Sequence, residues 1–277
     1  MRIVLAAAIA VLAVLGLAMF ANANEYVHRV ALPEVEAAAD LPPIEGSAEW
    51  PLVVIDPGHG GHDPGASGNG YREKEVVLGL AQSLREALEE EGGVRVALTR
   101  DDDTYLLHAE RYEIARRLGA ALFISIHADS AGEYDGVGGA SIYTLSNRAS
   151  SQAAARFAAR ENASDRLNGV DLERQSDAVN SILVDLAQRR TSEDSDEFAS
   201  LVLREGSEVL AFHPQERRFA ALKVLRAPDV PSILFESGFI TNEDDAERLT
   251  SPEGRERFAE TMARAIRIFL ARRSEAT

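Results

Sequence analysis

The chain reads as an α/β protein, a largely parallel twisted sheet with helices on both faces and a helical insertion. Three observations predict this. Short apolar runs alternate with segments whose apolar residues recur every three or four positions, the pattern of a helix-covered parallel sheet. Several of the runs are continuously apolar, as strands buried on both faces are. The composition, 45% hydrophobic and 27% charged over 277 residues, is that of a globular protein.

The first element is outside that fold. Ile3 to Phe20 form an unbroken apolar run after Arg2, followed by Ala21-Asn22-Ala23, a small-residue site typical of export leaders. Residues 1–23 are expected to be a signal peptide cleaved after Ala23, the alternative being an uncleaved anchor. The rest of the chain is thereby expected outside the cytoplasm. Residues 24–50, with Pro33, Pro42 and Pro43 among acidic and small residues, read as a linker. The catalytic unit is expected to span 51–277.

Leu52 to Ile55 form the first strand, stopping at Asp56-Pro57-Gly58, and a glycine-rich loop continues to about Arg72. Val76, Val77, Leu80, Leu84 and Leu88 mark an amphipathic helix that ends at Gly92-Gly93. Val94–Leu98 is the second strand, Leu107–Leu118 a helix and Ala121–Ile126 the third strand, running into His127. Gly139–Leu145 is the fourth strand. A helix over Ser150–Asn162 carries Ala154, Phe157 and Ala158 on one face. Residues 163–212 are helical in composition, with a turn near Asn168-Gly169 and a polar break at Thr191–Glu197. Leu222–Leu225 and Ser232–Phe235 read as two further strands, and Pro252–Arg272 as the final helix.

Charge and cysteine content narrow the chemistry. A formal net charge of −16 argues against binding nucleic acid. With no cysteine, thiolate catalysis, cysteine zinc sites and disulfides are excluded, so any metal is held by His, Asp or Glu. Sites in open parallel sheets lie beyond the carboxyl ends of the strands. Three strands end there in Asp56-Pro57-Gly58-His59-Gly60-Gly61-His62-Asp63, Ser125-Ile126-His127-Ala128-Asp129 and Phe235-Glu236-Ser237-Gly238. Glu73 precedes Val77 by four and Leu80 by seven, so it begins the inward stripe of its helix. Glu75 is followed at the same intervals by Gly79 and Gln82 and is expected to face water.

His59, Glu73 and His127, with a fourth position left open, match a His/His/Glu catalytic zinc site; Mg²⁺ and Ca²⁺ prefer all-oxygen shells. His62 is the alternative loop ligand, ranked below His59 because it stands further from the strand end. Glu236 takes the role of general base. The chain has no G-x-x-x-x-G-K-[ST], H-E-x-x-H or G-x-S-x-G sequence, which disfavours a P-loop, a thermolysin-type helix and a nucleophile elbow.

These motifs resemble the N-acetylmuramoyl-L-alanine amidases of the zinc-dependent amidase_3 type. The matching segments are Ile55 to Gly61, Glu73-Lys74, Leu98-Thr99-Arg100, Ser125 to Ala128 and Phe235 to Asn242, in the family's order across residues 51–272. The resemblance implies His59, Glu73 and His127 as zinc ligands and Glu236 as catalytic glutamate. It also implies cleavage of the amide between the lactyl group of N-acetylmuramic acid and the L-alanine of the peptidoglycan stem peptide.

Within residues 161–212, Glu161-Asn162-Ala163-Ser164-Asp165 and Ile182-Leu183-Val184-Asp185-Leu186 resemble the regulatory segment of the Gram-negative cell-separation amidases. There a helix covers the site and its glutamate, matched by Glu161, fills the open zinc position until a LytM-type activator displaces it. Glu161 follows Phe157 by four and Ala158 by three, on the apolar face. The stretch before the catalytic unit is expected to be too short for the localisation domain of some relatives, so septal targeting is not inferred from this chain. Two other readings fit the same residues: a zinc peptidase acting within the stem peptide, and a non-catalytic, zinc-stabilised wall-binding protein.

Overall fold

A computed structural model describes residues 41–130, 136–167, 170–171 and 181–275. The leader with its cleavage site, the linker as far as residue 40 and the turn at Asn168-Gly169 lie outside the described residues.

Six strands form one mixed sheet in the order β4-β1-β5-β10-β6-β9. β1 (Leu52–Pro57), β4 (Arg95–Leu98), β5 (Leu122–Asp129) and β10 (Ser232–Phe239) run parallel; β6 (Ala140–Leu145) pairs antiparallel with β10, and β9 (Phe212–Ala220) parallel with β6. Side chains alternate between two cores, as a sheet covered on both sides requires. Val53, Ile55, Ile124 and Phe235 join the core under α1 (Glu73–Glu91), α4 (Ser181–Gly206) and α6 (Pro252–Glu275). Leu52, Val54, Phe123, Tyr143 and Leu234 face α2 (His108–Arg117) and α3 (Gln152–Glu161). Glu45 exchanges backbone hydrogen bonds with Val96, so the chain already touches the sheet edge before Pro51.

The glycine-rich loop contains a hairpin, β2 (Ser67–Gly68) and β3 (Tyr71–Arg72). Its turn is Asn69-Gly70 with φ of 50° and 83°, the positive values that a tight two-residue hairpin turn requires. A second small hairpin, β7 (Arg166–Leu167) with β8 (Val170–Asp171), interrupts the region whose composition is helical.

Two expectations are corrected. Thr191–Glu197 does not break the helix: α4 runs through it, because Ser195 Oγ donates to the Thr191 carbonyl at 2.7 Å and accepts the Ser232 N–H at 2.8 Å. Hydroxyls satisfied within the helix and against the sheet need no turn. Leu222–Leu225 is not a strand but leads into a 3₁₀ turn, Lys223–Leu225. Leu222 N–H bonds back to Ala220 O and Asn162 Oδ1 takes the Lys223 N–H, which leaves no ladder to join. The strand beside β6 is β9, and a short helix, α5 (Glu243–Thr250), precedes α6.

Candidate metal centre and catalytic site

β1 delivers Pro57, Gly58 and His59 to the carboxyl edge of the sheet. His59 is left-handed, with φ of 59°, a conformation that costs a non-glycine residue about 1–3 kcal/mol and persists only where its surroundings impose it. Arg111 Nη2 donates to its carbonyl at 2.7 Å. Its Nδ1 donates to Asp63 Oδ2 at 2.7 Å, leaving the Nε2 lone pair directed at the centre. Glu73 opens α1. Its Oε2 accepts the Ala66 N–H at 2.8 Å and its Oε1 the Ala128 N–H at 2.9 Å, so backbone donors fix both oxygens. Gly65, with φ of 66°, passes so close that a Cβ there would lie 2.6 Å from Glu73 Oε2 and 2.7 Å from His59 Cδ2.

His127 and Glu236 are partners across neighbouring parallel strands, which puts both on the sheet face covered by α3. Glu236 Oε2 accepts the Asp129 N–H at 3.0 Å, while Oε1 is buried without a hydrogen-bond partner. From α3, whose apolar face is Ala154, Phe157 and Ala158, Glu161 projects into the same space and is only 7% exposed. Asn162 fastens the helix end, its Nδ2 donating to Ala221 O at 2.8 Å. Asp165, beyond it, accepts the His108 N–H at 3.2 Å and the Tyr105 hydroxyl at 3.1 Å. Arg160 pairs with Asp129 and, at 3.5 Å, with Glu161 itself.

Four potential ligand atoms therefore converge. His59 Nε2 and His127 Nδ1 are 3.1 Å apart, and Glu73 Oε1 is 3.0 and 3.1 Å from them. Glu161 Oε2 is 3.7 and 3.4 Å from the same nitrogens. A tetrahedron with metal–ligand bonds of about 2.0–2.1 Å has edges of about 3.3 Å, so the donor set fits zinc in spacing and in kind. His59, His127 and Glu161 all offer ligand atoms within 4.8 Å of one another and all three are buried, a cluster compatible with a metal site. Glu73 Oε1 sits against both imidazoles and belongs to the same cluster.

The electrostatics favour a cation. Burial lowers the basicity of His59, but Glu73, Asp63 and Glu161 outweigh it and hold its pKa well above the usual value. Burial raises Glu73, yet His59 and His127 draw it well below the ordinary carboxylate range. Glu236 is pushed well up, by burial first and then by Asp129, Glu73 and Glu161. Asp129 is pushed up to about 6 by burial, against the pull of Arg160. A buried carboxylate of raised pKa with one free oxygen is suited to taking up and returning a proton.

The structure brings His59, Glu73, His127 and Glu161 together and sets Glu236 beside them. His62 is exposed and its ring lies tilted against Tyr105, with centroids 4.2 Å apart, and Glu75 is exposed beside Arg72. Beneath the centre lies a network that sequence reasoning missed. Asp56 accepts from Thr99 at 2.6 Å, Ser125 at 2.7 Å and Arg111 at 2.8 Å. Arg111 stands four residues after Leu107 and three before Ile114, so a charged residue on the inward stripe was the available signal.

The Amidase_3 family, described as N-acetylmuramoyl-L-alanine amidase, matches residues 53–267. The N-acetylmuramoyl-L-alanine amidase AmiA of Escherichia coli strain K12 is 39% identical over 217 residues, 78% of this chain and 74% of that one. AmiC of Escherichia coli O6:H1 is 35% identical over 83% of this chain and 55% of its own length. Among solved structures, the amidase AmiC2 of Nostoc punctiforme superposes with a TM-score of 0.57 at 31% identity, covering 82% of this chain and 99% of that one.

Proposed function

From the premise that the chain belongs to the N-acetylmuramoyl-L-alanine amidase family of the Amidase_3 type, and within it to the group of Gram-negative AmiA, AmiB and AmiC enzymes, we propose a zinc-dependent, self-inhibited peptidoglycan amidase. The bond cleaved joins the lactyl group of N-acetylmuramic acid to the L-alanine of the stem peptide. The observation that carries the self-inhibition is the convergence of Glu161, from a helix lying over the sheet, on the two imidazole nitrogens that Glu73 also faces.

In this reading His59, Glu73 and His127 would hold the zinc, and Glu161 would be a further ligand to it in the closed state. When bound, zinc supplies Lewis-acid chemistry, polarising the amide carbonyl and easing loss of a proton from water. Glu236 takes that proton on its unpartnered Oε1 and returns it to the departing amine nitrogen, a dual role that its raised pKa suits. The Asp129 N–H holds Oε2 and so aims the carboxylate. His59 is kept in one tautomer by Asp63, and Glu73 in one rotamer by two backbone N–H groups.

In this reading Glu161, facing both imidazole nitrogens, stands where substrate would have to approach, so the enzyme rests inactive. Activation is the displacement of α3 by a LytM-type partner, a two-state shift whose size is set by the partner's preference for the open form. The three domain boundaries read in the sequence, 1–23, 24–50 and 51–277 with the regulatory insertion 161–212, belong to this proposal, as does export to the periplasm by the leader. No helix among the described residues is long and apolar enough to cross a membrane.

The test is the mass of the fragments that Glu161→Ala protein releases from peptidoglycan in the presence of zinc. Intact stem peptides beginning with L-alanine, together with peptide-free glycan, are expected. Fragments cut within the stem would make it a peptidase, and no fragments from zinc-loaded protein would favour a wall-binding role.

A further inference from the structure

Arg100 lies two residues after β4 and is 4% exposed, and among the described residues its guanidinium donates to backbone carbonyl oxygens. Nε reaches Pro57 O at 3.0 Å and Nη1 reaches Asp102 O at 2.7 Å. Nη2 is shared by Gly58 O at 2.7 Å and Lys74 O at 3.0 Å. Gly58 precedes His59 and Lys74 follows Glu73. One nitrogen therefore bridges the backbone beside two of the proposed metal ligands, one on a loop after β1 and the other on the first turn of α1.

We propose that Arg100 is a positioning residue of the metal centre, setting the separation and orientation of His59 relative to Glu73 through that bridge. The inference rests on reading His59, Glu73 and His127 as the ligands. Stability alone gives little reason for the residue: a buried charge is costly to desolvate, and a well-packed apolar side chain of similar volume often serves a fold as well or better.

What an apolar residue cannot do is hold several carbonyls at fixed angles. The planar guanidinium does so with a rigid fork. The loop needs such a hold, because His59 is left-handed and would relax elsewhere if its neighbouring peptides were free. Arg111 also holds the loop, through Pro57 O and His59 O, but among the described residues none of its hydrogen bonds reaches α1, so it does not bridge the two ligands in this way. Lys74 itself spans to Gly61 O at 2.8 Å, further along the loop than His59, and to Asp103 at 2.7 Å in the segment after β4.

A lysine at position 100 keeps a positive charge but loses the fork. The experiment measures zinc affinity by chelator competition for the purified full chain, for Arg100→Lys and for Arg116→Lys. Arg116 pairs with Glu113 and Asp229, well away from the centre. Thermal unfolding of the metal-free proteins is recorded alongside.

Arg100→Lys is expected to bind zinc about 10–100-fold more weakly, the usual effect of losing a group that orients ligands, with metal-free unfolding close to the parent's. Arg116→Lys is expected to bind zinc as the parent does. Unchanged zinc affinity with a lowered unfolding temperature would make Arg100 part of the scaffold only and overturn the inference. If the lysine protein does not fold, Arg100→Gln is read by the same criteria, and failure of both to fold also overturns it. A parent that binds no zinc would instead overturn the ligand assignment, and this inference with it.

Discussion

Gly58→Ala separates the geometry of the metal centre from the stability of the fold. A Cβ at position 58 would lie 2.4 Å from His127 Cε1, 2.5 Å from Nε2 and 2.9 Å from Cδ2, whereas ordinary contact begins at 3.4 Å. The backbone cannot yield, because Gly58 N–H is bonded to Ile126 O at 3.0 Å and its carbonyl to Arg100 at 2.7 Å. The His127 ring must therefore retreat by about 1 Å, a displacement that can cost a reacting constellation on the order of 100-fold. The ring's Nδ1 now stands 3.1 Å from both His59 Nε2 and Glu73 Oε1, and a shift of that size removes it from the ligand set. Overpacking one methyl group costs about 1–3 kcal/mol, so the protein is expected to remain folded. Zinc affinity by chelator competition and turnover of peptidoglycan should fall together, with a modest drop in unfolding temperature. A folded Gly58→Ala protein with the parent's zinc affinity would refute the assignment of His127 as a ligand.

Two further outcomes follow from the buried charges. Burial raises the Asp56 pKa, but Arg111, Thr99 and Ser125 together hold it below its ordinary value. A depressed folded pKa contributes stability above the unfolded value of about 3.9 and loses it as pH falls through the folded one. Asp56→Asn should therefore be less stable than the parent by about 3–5 kcal/mol at neutral pH, with the gap closing below about pH 4. Urea unfolding across pH checks this, and a gap that does not change with pH would contradict it. Glu236→Gln in the Glu161→Ala background should keep bound zinc and lose about 10²–10⁴-fold in turnover. Turnover equal to that of Glu161→Ala alone would take Glu236 out of the proton-transfer role.

The positions that converge on the candidate site were legible because they obey local rules. His59, His127 and Glu236 follow apolar runs at strand ends, and Glu73 falls on the stripe of Val77 and Leu80. Glu161 was legible in the same way, by its spacing from Phe157 and Ala158. β9 was hidden because it is an edge strand: Pro214, Gln215, Glu216 and Arg217 are exposed, and its register with β6 shifts between Ala140 and Ile142. Charge, proline and a bulge at a sheet edge discourage pairing with other chains, and they also erase the apolar alternation by which a strand is recognised. The continuity of α4 depended on Ser195 finding Ser232, 37 residues away, and no local pattern carries that contact. Arg100 and Arg111 were invisible as supports for the same reason. Their partners are backbone carbonyls on distant segments, whose positions only the folded sheet defines.

The central claim is that Glu161 closes the site, and the most direct measurement compares release of stem peptides from peptidoglycan by zinc-loaded parent and Glu161→Ala proteins without any partner. Rapid release by the variant and slow release by the parent is the predicted result. Equal rates, with zinc bound equally in both, would contradict it.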